Sequence, residues 1–518
     1  MGERLGTEWT MRCFAGALAA VVAAAGGTLR AQCPELAKLP IGPTGGDAAG
    51  SAVSIHGDLA VVGAEYDDEN GVIDTGSVSV FRFDGSNWLF DAKIVASDAM
   101  KGDRFGRSVD VWSDGFDVHR IVVGAPYHDG AFQDTGTAYV YSRTIGGTWA
   151  LETQLFPTAA GGGEWFGWDV AIDAVDVVVG APHTDHTGSD NGSLYTYRRD
   201  PTFGWNSTGK HFALDSASGD MFGWSVALSG DRLLVGSPLS DVAPHWDDGV
   251  AYAFRRQGVS WVQDAKLIPL YRNYNDYFGW DVAIEGDVAL IGAPSVDYGM
   301  TNIGAAFVFT RGASSWVETD MLVLPQPGNN DQFGTSVALS STIAAVGAPL
   351  RDAAGSDSGQ AFTFFPKFGH WNFGSTLLPT GTTAGDKVGA SVAASPGGVL
   401  VGSPLSDEAG LVDSGSASVF RAAFGLTATP TTVLAHQVLT FTAGCGTSGS
   451  PALLAFTSAN GVPLLAPIIQ LSFGSNEQLE LSAKVPPGLS GSNAGFTVYK
   501  LDPFGSVLGS NEVVVHFL

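Results

Sequence analysis

The sequence predicts an all-β protein, in which a seven-bladed β-propeller closed by an N-terminal strand is followed by a small immunoglobulin-like β-sandwich. Three observations lead to this fold class. Glycine and proline account for 69 and 25 of the 518 residues, which disfavours long helices. Hydrophobic residues make up 45% of the chain, enough to bury a large core. A glycine-marked unit of about 56 residues recurs along most of the chain.

Residues 1–31 are predicted to be a signal peptide. Arg12 precedes an apolar run rich in Ala and Val, and Ala31 ends a small-residue cleavage site. The run is shorter than the ~20 apolar residues of a membrane-spanning helix, and no later segment is long and apolar enough to be one. We therefore expect an exported protein, either secreted or held at the cell surface, with no transmembrane segment.

Three glycines mark each of the seven units between residues 32 and 422. The first follows Phe in five units, the second stands mostly in Gly-Ala-Pro or Gly-Ser-Pro, and the third opens an alternating aromatic stretch. The first glycines are Gly50, Gly106, Gly167, Gly223, Gly279, Gly334 and Gly389. Short β-branched or aromatic runs lie between the markers, which predicts four strands per unit and hence a propeller of seven blades.

The seventh unit has only three of its four strands. Residues 34–40 resemble the outer-strand segment at Asp264–Pro269 of the fourth unit. We therefore expect the N-terminal strand to supply the missing outer strand of the last blade, which removes an open seam. That arrangement places Cys33 beside the exit to the tail, so a Cys33–Cys445 disulfide is one hypothesis and two unpaired thiols are the other.

The tail, residues 426–518, lacks the repeat. Its short runs alternate apolar and polar residues and are separated by Gly, Pro, Ser and Asn. Six or seven such strands in about 93 residues predict the immunoglobulin-like β-sandwich.

Phe-Gly followed by Gly-Ala-Pro at this period resembles the FG-GAP repeat, known from integrin alpha-chain propellers and from many bacterial secreted proteins. The resemblance covers roughly residues 33–422. It implies a seven-bladed propeller with a ligand-binding or adhesion role, and it does not imply catalysis.

Acidic residues recur at three positions in each unit, and two interpretations of them are open. Asp side chains next to Gly commonly cap the backbone N–H groups of tight turns. The second and third acids also flank one loop per blade, an arrangement that could hold calcium, although the denser Asp-x-Asp-x-Asp-Gly loop of integrin repeats is missing. The calcium candidates are Asp68, Asp74, Asp129, Asp134, Asp185, Asp190, Asp241, Asp247, Asp352, Asp357, Asp407 and Asp413.

Trp168, Trp224 and Trp280 follow the Phe-Gly pair of three consecutive units. Their repeated placement predicts that they share one sector of the ring. They either pack between blades or form a stacking platform for a sugar or an aromatic partner. In the second case Asp169 and Asp281 are the expected acceptors for ligand hydroxyl groups.

The formal net charge of −26 disfavours nucleic-acid partners, because no basic patch offsets it. His183, Asp185 and His186 share a loop but provide few ligands for a transition metal. No motif of a hydrolase or a phosphate loop is present. The leading hypothesis is an exported, non-catalytic binding module for an extracellular glycan or protein, with no certain cofactor. An extracellular polysaccharide lyase or hydrolase and a purely structural envelope component are the alternatives.

Overall fold

The computed structural model describes residues 35–42, 44–115, 118–144, 146–158, 161–367 and 369–421, together with nine strands of the tail. Within these residues the regular secondary structure consists of strands. No helix long and apolar enough to cross a membrane occurs in the described part of the chain. The chain divides into two compact units, one built from the repeats and one that holds the tail strands.

Seven four-stranded sheets form the blades, preceded by β1 (Glu35–Lys38). Blade 1 is β2 (Ala52–His56), β3 (Leu59–Ala64), β4 (Ser77–Phe83) and β5 (Trp88–Ile94); blade 2 is β6 (Ser108–Ser113), β7 (Val118–Ala125), β8 (Thr137–Thr144) and β9 (Ala150–Leu155). Blade 3 is β10 (Val170–Ile172), β11 (Asp176–Ala181), β12 (Ser193–Asp200) and β13 (Gly204–His211); blade 4 is β14 (Ser225–Ser229), β15 (Arg232–Ser237), β16 (Val250–Gln257) and β17 (Ser260–Leu267). Blade 5 is β18 (Val282–Glu285), β19 (Val288–Ala293), β20 (Ala305–Arg311) and β21 (Trp316–Leu322); blade 6 is β22 (Ser336–Leu339), β23 (Ala344–Ala348), β24 (Gln360–Lys367) and β25 (His370–Leu377). Blade 7 contains β26 (Ser391–Ser395), β27 (Gly398–Ser403) and β28 (Ser416–Arg421).

Each blade is an antiparallel meander whose strands follow one another in chain order. The first strand of every blade lines a common central cavity. The second strand is almost wholly buried, as in β3, β11 and β27. The repeated apolar runs predicted from the sequence thus form the core, and the described chain is the predicted all-β, seven-bladed propeller.

β1 pairs antiparallel with β28, the last strand of blade 7, from Glu35 opposite Phe420 to Lys38 opposite Ser418. Two further contacts hold it. Ser418 donates a hydrogen bond of 2.6 Å to Glu35, and the Leu39 backbone N–H donates one of 2.9 Å to the Ala417 carbonyl.

The glycines of the repeat allow neighbouring blades to approach closely. A Cβ atom on Gly124 would lie 2.0 Å from the carbonyl oxygen of Gly167 in the next blade. Gly167 itself has a φ of 93°, a region that favours glycine. The preceding Phe166 is fully buried and packs edge-on against Tyr195. The Phe-Gly pair therefore works as a turn that seals one blade against another.

The described strands of the tail are β29 (Leu426–Thr429), β30 (Thr432–Val433), β31 (Val438–Ala443), β32 (Pro451–Ala459), β33 (Val462–Ser472), β34 (Leu479–Lys484), β35 (Asn493–Leu501), β36 (Val507–Gly509) and β37 (Val513–Phe517). They form a three-stranded and a six-stranded sheet. The immunoglobulin-like sandwich stays a prediction. The predicted signal peptide, Cys33 and Cys445 lie outside the described residues.

Candidate functional site

A central cavity of about 560 Å³ runs along the first strands of all seven blades. Ligand pockets commonly have volumes of roughly 300–1,000 Å³, so the cavity can admit a small molecule or a sugar unit. We call the end at which the first strands begin the mouth. Each blade has a turn at its first glycine, which is Phe-Gly in five blades, Ala-Gly in blade 1 and Val-Gly in blade 7, and we call it the Phe-Gly turn throughout. The residue after each such glycine lines the cavity at the mouth: Ser51, Arg107, Trp168, Trp224, Trp280, Thr335 and Ala390.

The Phe-Gly turn fixes two side-chain positions per blade at the mouth. In blade 3, the backbone N–H of Trp168 donates to the Trp165 carbonyl at 3.1 Å, closing a four-residue turn around Phe166 and Gly167. A positive φ at the third residue of such a turn is the reason that glycine is needed there. The same bond recurs in all seven blades, at 3.0–3.2 Å. Each turn thus presents the residue two before the glycine and the residue one after it.

The three predicted tryptophans are brought together. The centroids of Trp168 and Trp224 are 4.8 Å apart at an interplanar angle of 49°, and those of Trp224 and Trp280 are 5.1 Å apart at 50°. One-seventh of a turn is about 51°, so the propeller's own rotation relates the three rings. All three are half-buried. We call them the tryptophan wall.

A cation continues the wall at one end. Arg107 holds the position equivalent to Trp168 in the preceding blade, and its guanidinium carbon lies 4.3 Å from the Trp168 ring centroid. At the other end the wall stops at Trp280, because the equivalent positions of the next three blades hold the small residues Thr335, Ala390 and Ser51. Bulky and small side chains thus occupy opposite sides of one symmetric ring.

Further aromatic residues extend the wall outwards. Trp165 stacks on Trp168 at 5.1 Å and 21°, and it also contacts Tyr127 at 5.2 Å. The guanidinium carbon of Arg104 lies 4.7 Å from the ring centroids of both Tyr127 and Tyr66. The result is one continuous surface of aromatic rings and guanidinium groups around half of the mouth.

A single buried carboxylate faces the two arginines. Oε2 of Glu65 lies 3.8 Å from Nη1 of Arg104 and 3.7 Å from Nε of Arg107, too far for hydrogen bonds. Glu65 is 8% exposed and this oxygen has no hydrogen-bond partner. Burial raises the pKa of its carboxyl, and the two arginines oppose that shift only in part.

Backbone strain also collects at the mouth. The residue two before the first glycine has a φ between 51° and 57° in every blade: Ala48, Arg104, Trp165, Met221, Tyr277, Gln332 and Lys387. A residue other than Gly, Asn or Asp is disfavoured in this region by roughly 1 kcal/mol. The large side chains of Arg104, Trp165 and Tyr277 are kept at these positions despite that cost.

Asp169 and Asp281 lie at the base of the wall, where each joins two blades. Asp169 accepts hydrogen bonds from the backbone N–H groups of Val226 in the next blade, at 2.7 Å, and of Val170, at 3.0 Å. Asp281 does the same with Val337 and Val282, at 2.7 and 2.9 Å. A carboxylate has further lone pairs, so their predicted role as acceptors for ligand hydroxyl groups stays open.

Both carboxyls lie deep among protein atoms, although part of each residue faces the cavity. Burial is the main cause that raises the pKa of Asp169 to about 8 and that of Asp281 to about 7. Asp110, which accepts from the backbone N–H of Ile172 at 2.8 Å, also has a raised pKa because of burial.

The repeated acids cap turns in the structure. In every blade the Asp that lies five residues after the second glycine accepts a hydrogen bond through Oδ1. The donor is the backbone N–H of the residue two positions before the third glycine, at 2.6–3.0 Å. These acceptors are Asp68, Asp129, Asp185, Asp241, Asp297, Asp352 and Asp407. Among the described residues no three His, Cys, Asp or Glu side chains form a group that could hold a metal ion. The calcium hypothesis stays a prediction.

The two histidines of the loop in blade 3 have separate neighbours. Nδ1 of His183 lies 2.8 Å from Oδ1 of Asp190, and its ring contacts Trp165 at 3.9 Å. The ring of His186 stacks on Phe212 at 3.7 Å. His183 therefore packs against the aromatic surface, whereas His186 packs against a separate ring, and the two histidines do not converge on one point.

Five residues of this surface were not predicted from the sequence: Glu65, Tyr66, Arg104, Tyr127 and Trp165. Arg104 and Trp165 stand at a fixed distance before the repeated glycine, so comparing that column across the seven units would have singled them out. The positions just after the second glycine hold different residue types in different blades, and Glu65, Tyr66 and Tyr127 stand there. Only their contacts in the folded protein show that they belong to the site.

The FG-GAP repeat model matches residues 41–81, 88–141, 149–197, 205–254, 261–309, 316–364 and 371–420. These segments include each blade's core strands and its Phe-Gly turn position. No curated protein matches the chain.

Several solved structures resemble the chain at low identity. A fungal alcohol oxidase in complex with copper is 11% identical with a TM-score of 0.41, covering 93% of this chain and 98% of its own. The periplasmic gluconolactonase of Pseudomonas aeruginosa is 12% identical with a TM-score of 0.42, covering 65% and 86%. A polysaccharide lyase described as an ulvan lyase is 12% identical with a TM-score of 0.41, covering 77% and 95%. At these values the likenesses carry no argument about function.

Proposed function

The chain belongs to the FG-GAP repeat family, and we propose that it is an exported, non-catalytic protein whose propeller mouth binds an extracellular glycan. The tryptophan wall carries this proposal. Three consecutive blades each place a half-buried indole at the mouth of a cavity of about 560 Å³. Indole rings combine a large apolar surface with a polar N–H, which suits the apolar faces and hydroxyl rims of sugars.

The asymmetry of the mouth favours binding over a purely architectural role. A core-packing role is served equally by small residues, as blades 6, 7 and 1 demonstrate with Thr335, Ala390 and Ser51. The bulky residues of blades 2–5 break the sevenfold symmetry of the mouth, and the propeller fold does not need them there. Exposed aromatic surface at a cavity mouth is typical of a ligand site.

A non-catalytic role is supported by the hydrogen bonds that the acidic side chains make within the fold. Asp169, Asp281 and the loop aspartates each accept backbone hydrogen bonds. Hydrolysis of a glycosidic bond ordinarily requires two carboxyls that flank the scissile bond and are free to exchange protons with it. Export is supported by the apolar N-terminal run, and FG-GAP repeats are typical of extracellular proteins. The pairing of β1 with β28 supports the inference that the N-terminal strand closes the ring.

A glycan array tests the proposal. The exported form of the protein is applied to polysaccharides and oligosaccharides in parallel with Trp224→Ala and with Trp246→Ala. Trp246 is 67% exposed and lies in a loop of the same blade, outside the wall, so it is a matched control. Saturable binding that is lost only in Trp224→Ala supports the proposal. Binding retained in Trp224→Ala, or silence across the array with an intact fold, contradicts it.

A further inference from the structure

Positive charge is concentrated at one end of the tryptophan wall. Blade 2 presents Arg104 and Arg107 from the two side-chain positions of its Phe-Gly turn, and no other turn of the seven carries two cations. The chain has only 26 lysines and arginines against 52 acids, so this pair stands out against a strongly acidic background.

The two guanidinium groups are held in place but retain their donors. Arg107 lies over Trp168, and Arg104 lies between Tyr66 and Tyr127. Neither guanidinium donates a hydrogen bond to an acceptor in the described part of the chain, and their side chains are 32% and 29% exposed for Arg104 and Arg107. Each guanidinium has five N–H donors in a planar fork, which matches the geometry of a carboxylate or sulfate group.

Glu65 is a second, independent observation at the same place. Its Oε2 is buried without a hydrogen-bond partner and faces both arginines from 3.7–3.8 Å. One carboxylate cannot neutralise two guanidinium groups. An incoming anion would supply the missing negative charge and accept hydrogen bonds from the guanidinium N–H groups.

We propose that the glycan is acidic, that Arg104 and Arg107 bind its carboxylate or sulfate group, and that the adjoining sugar rings lie against Trp168, Trp224 and Trp280. The proposal rests on the proposed function and specifies its ligand. The order of residues around the mouth gives the bound chain a direction, with its charged group at blade 2 and its neutral part towards Trp280 and blade 6.

The acids at the base of the wall do not oppose such a ligand strongly near neutral pH. Burial raises the pKa of Asp169 to about 8 and that of Asp281 to about 7, so at pH 7 Asp169 is mostly protonated and Asp281 is about half protonated. The arginine pair therefore supplies the positive charge at the wall, with Glu65 and Asp74 as the neighbouring acids.

The test compares glycans that share one backbone and differ in charge. Polygalacturonate is paired with its methyl ester, and a sulfated galactan is paired with its desulfated form; cationic chitosan is a fifth probe. The binding of each is measured for the exported form of the protein, Arg107→Gln, Arg104→Gln and Arg255→Gln. Arg255 is an exposed arginine of β16 that pairs with Asp264, so its variant controls for net charge. Melting temperatures confirm that each variant is folded.

The proposal predicts that one acidic glycan binds at least about tenfold more tightly than its neutral counterpart. Arg107→Gln removes that preference, whereas Arg255→Gln retains it. Which pair shows the preference distinguishes carboxylate from sulfate. Equal binding of charged and neutral forms, or a preference for chitosan, overturns the acidic ligand while leaving glycan binding intact. Silence of the wild-type protein with every probe removes the proposed function and this inference together.

Discussion

The guanidinium carbon of Arg107 lies 4.3 Å from the ring centroid of Trp168, and the two residues hold the same position in neighbouring blades. The contact between these two side chains therefore forms only when two neighbouring repeats are packed side by side. A side chain that follows the Phe-Gly turn of one blade becomes the neighbour of its equivalent in the next blade. Arg107 and the tryptophan wall are joined by three such contacts between neighbouring blades.

Close approach between blades predicts a large cost for adding one methyl group. In Gly236→Ala the new Cβ would lie 2.0 Å from the Gly279 carbonyl oxygen, so the blades must separate. We expect a loss of about 2–3 kcal/mol in the free energy of unfolding, measured by denaturant titration. Gly397→Ala is the control, because only Ser395 comes within 4.0 Å of its Cβ position. Equal stability of the two variants would refute the role given to the second glycine.

Much of the fold could be predicted from the sequence because the same residue types recur at the positions that shape each blade. The three glycines, the buried Phe and the apolar second strands each recur seven times or nearly so, and each maps to an inter-blade or core position. The strand order follows from chain order because consecutive strands of a meander pair with each other.

The site was only partly predictable. The tryptophans at 168, 224 and 280 stand in one repeat column, and the shared rotation of the blades brings them together. The contact of Arg104 with Tyr66 joins residues of neighbouring blades that stand at different positions of the repeat. Glu65 differs from other acids of the chain in being buried without a hydrogen-bond partner for one oxygen, and the sequence does not show this burial. Neither burial nor packing between blades can be deduced by comparing one equivalent position across the seven units.

Asp276 predicts a specific dependence of stability on pH. It is 2% exposed, and its Oδ1 has no hydrogen-bond partner. Val296 stands where blade 6 has Arg351, which binds Asp331 at 2.6 Å, so Asp276 also lacks that cation. Burial raises the pKa of Asp276 to about 7 from an ordinary 3.8. The folded state therefore holds this proton between about pH 4 and pH 7, where the unfolded chain has lost it, and stability falls as the pH rises through that window.

Asp276→Asn removes the titration. We expect the melting temperature of the wild type to fall relative to that of the variant between about pH 4 and pH 7, and the difference to level off above about pH 8. Differential scanning calorimetry of both proteins across this range checks the prediction. Parallel curves for the two proteins would show that Asp276 does not titrate in this window.

The capped loops predict how their acids respond to substitution. Asp352 accepts the Asp357 backbone N–H at 2.9 Å, so Asp352→Ala should cost about 1 kcal/mol, whereas Asp352→Asn keeps an acceptor and should cost less than about half of that. Capping alone predicts the same melting temperatures in calcium and in chelator. A lower melting temperature in chelator, abolished by Asp352→Asn, would favour calcium in that loop.

The proposed closure of the ring by β1 predicts that Leu39, the apolar residue that follows this strand, contributes strongly to stability. Leu39 is 4% exposed and packs in a core cluster with Ala417 and Val419 of blade 7. Leu39→Ala should lower the free energy of unfolding by about 2–4 kcal/mol, since it leaves a cavity. Leu36, which is 43% exposed on the same N-terminal strand, gives the control Leu36→Ala. An unchanged unfolding midpoint in Leu39→Ala would contradict a closing role.

The most direct test of the central claim is the affinity of the best-binding glycan for the wild type, Trp280→Ala and Trp246→Ala, measured by isothermal titration calorimetry. Trp280 ends the wall beside Thr335, the small residue at the equivalent position of the next blade, so we expect that side of its indole to leave room for a sugar ring. A stacking contact of about 1.5 kcal/mol predicts at least a tenfold loss of affinity in Trp280→Ala, with Trp246→Ala unchanged. Wild-type affinity in Trp280→Ala would show that the tryptophan wall is not the binding surface.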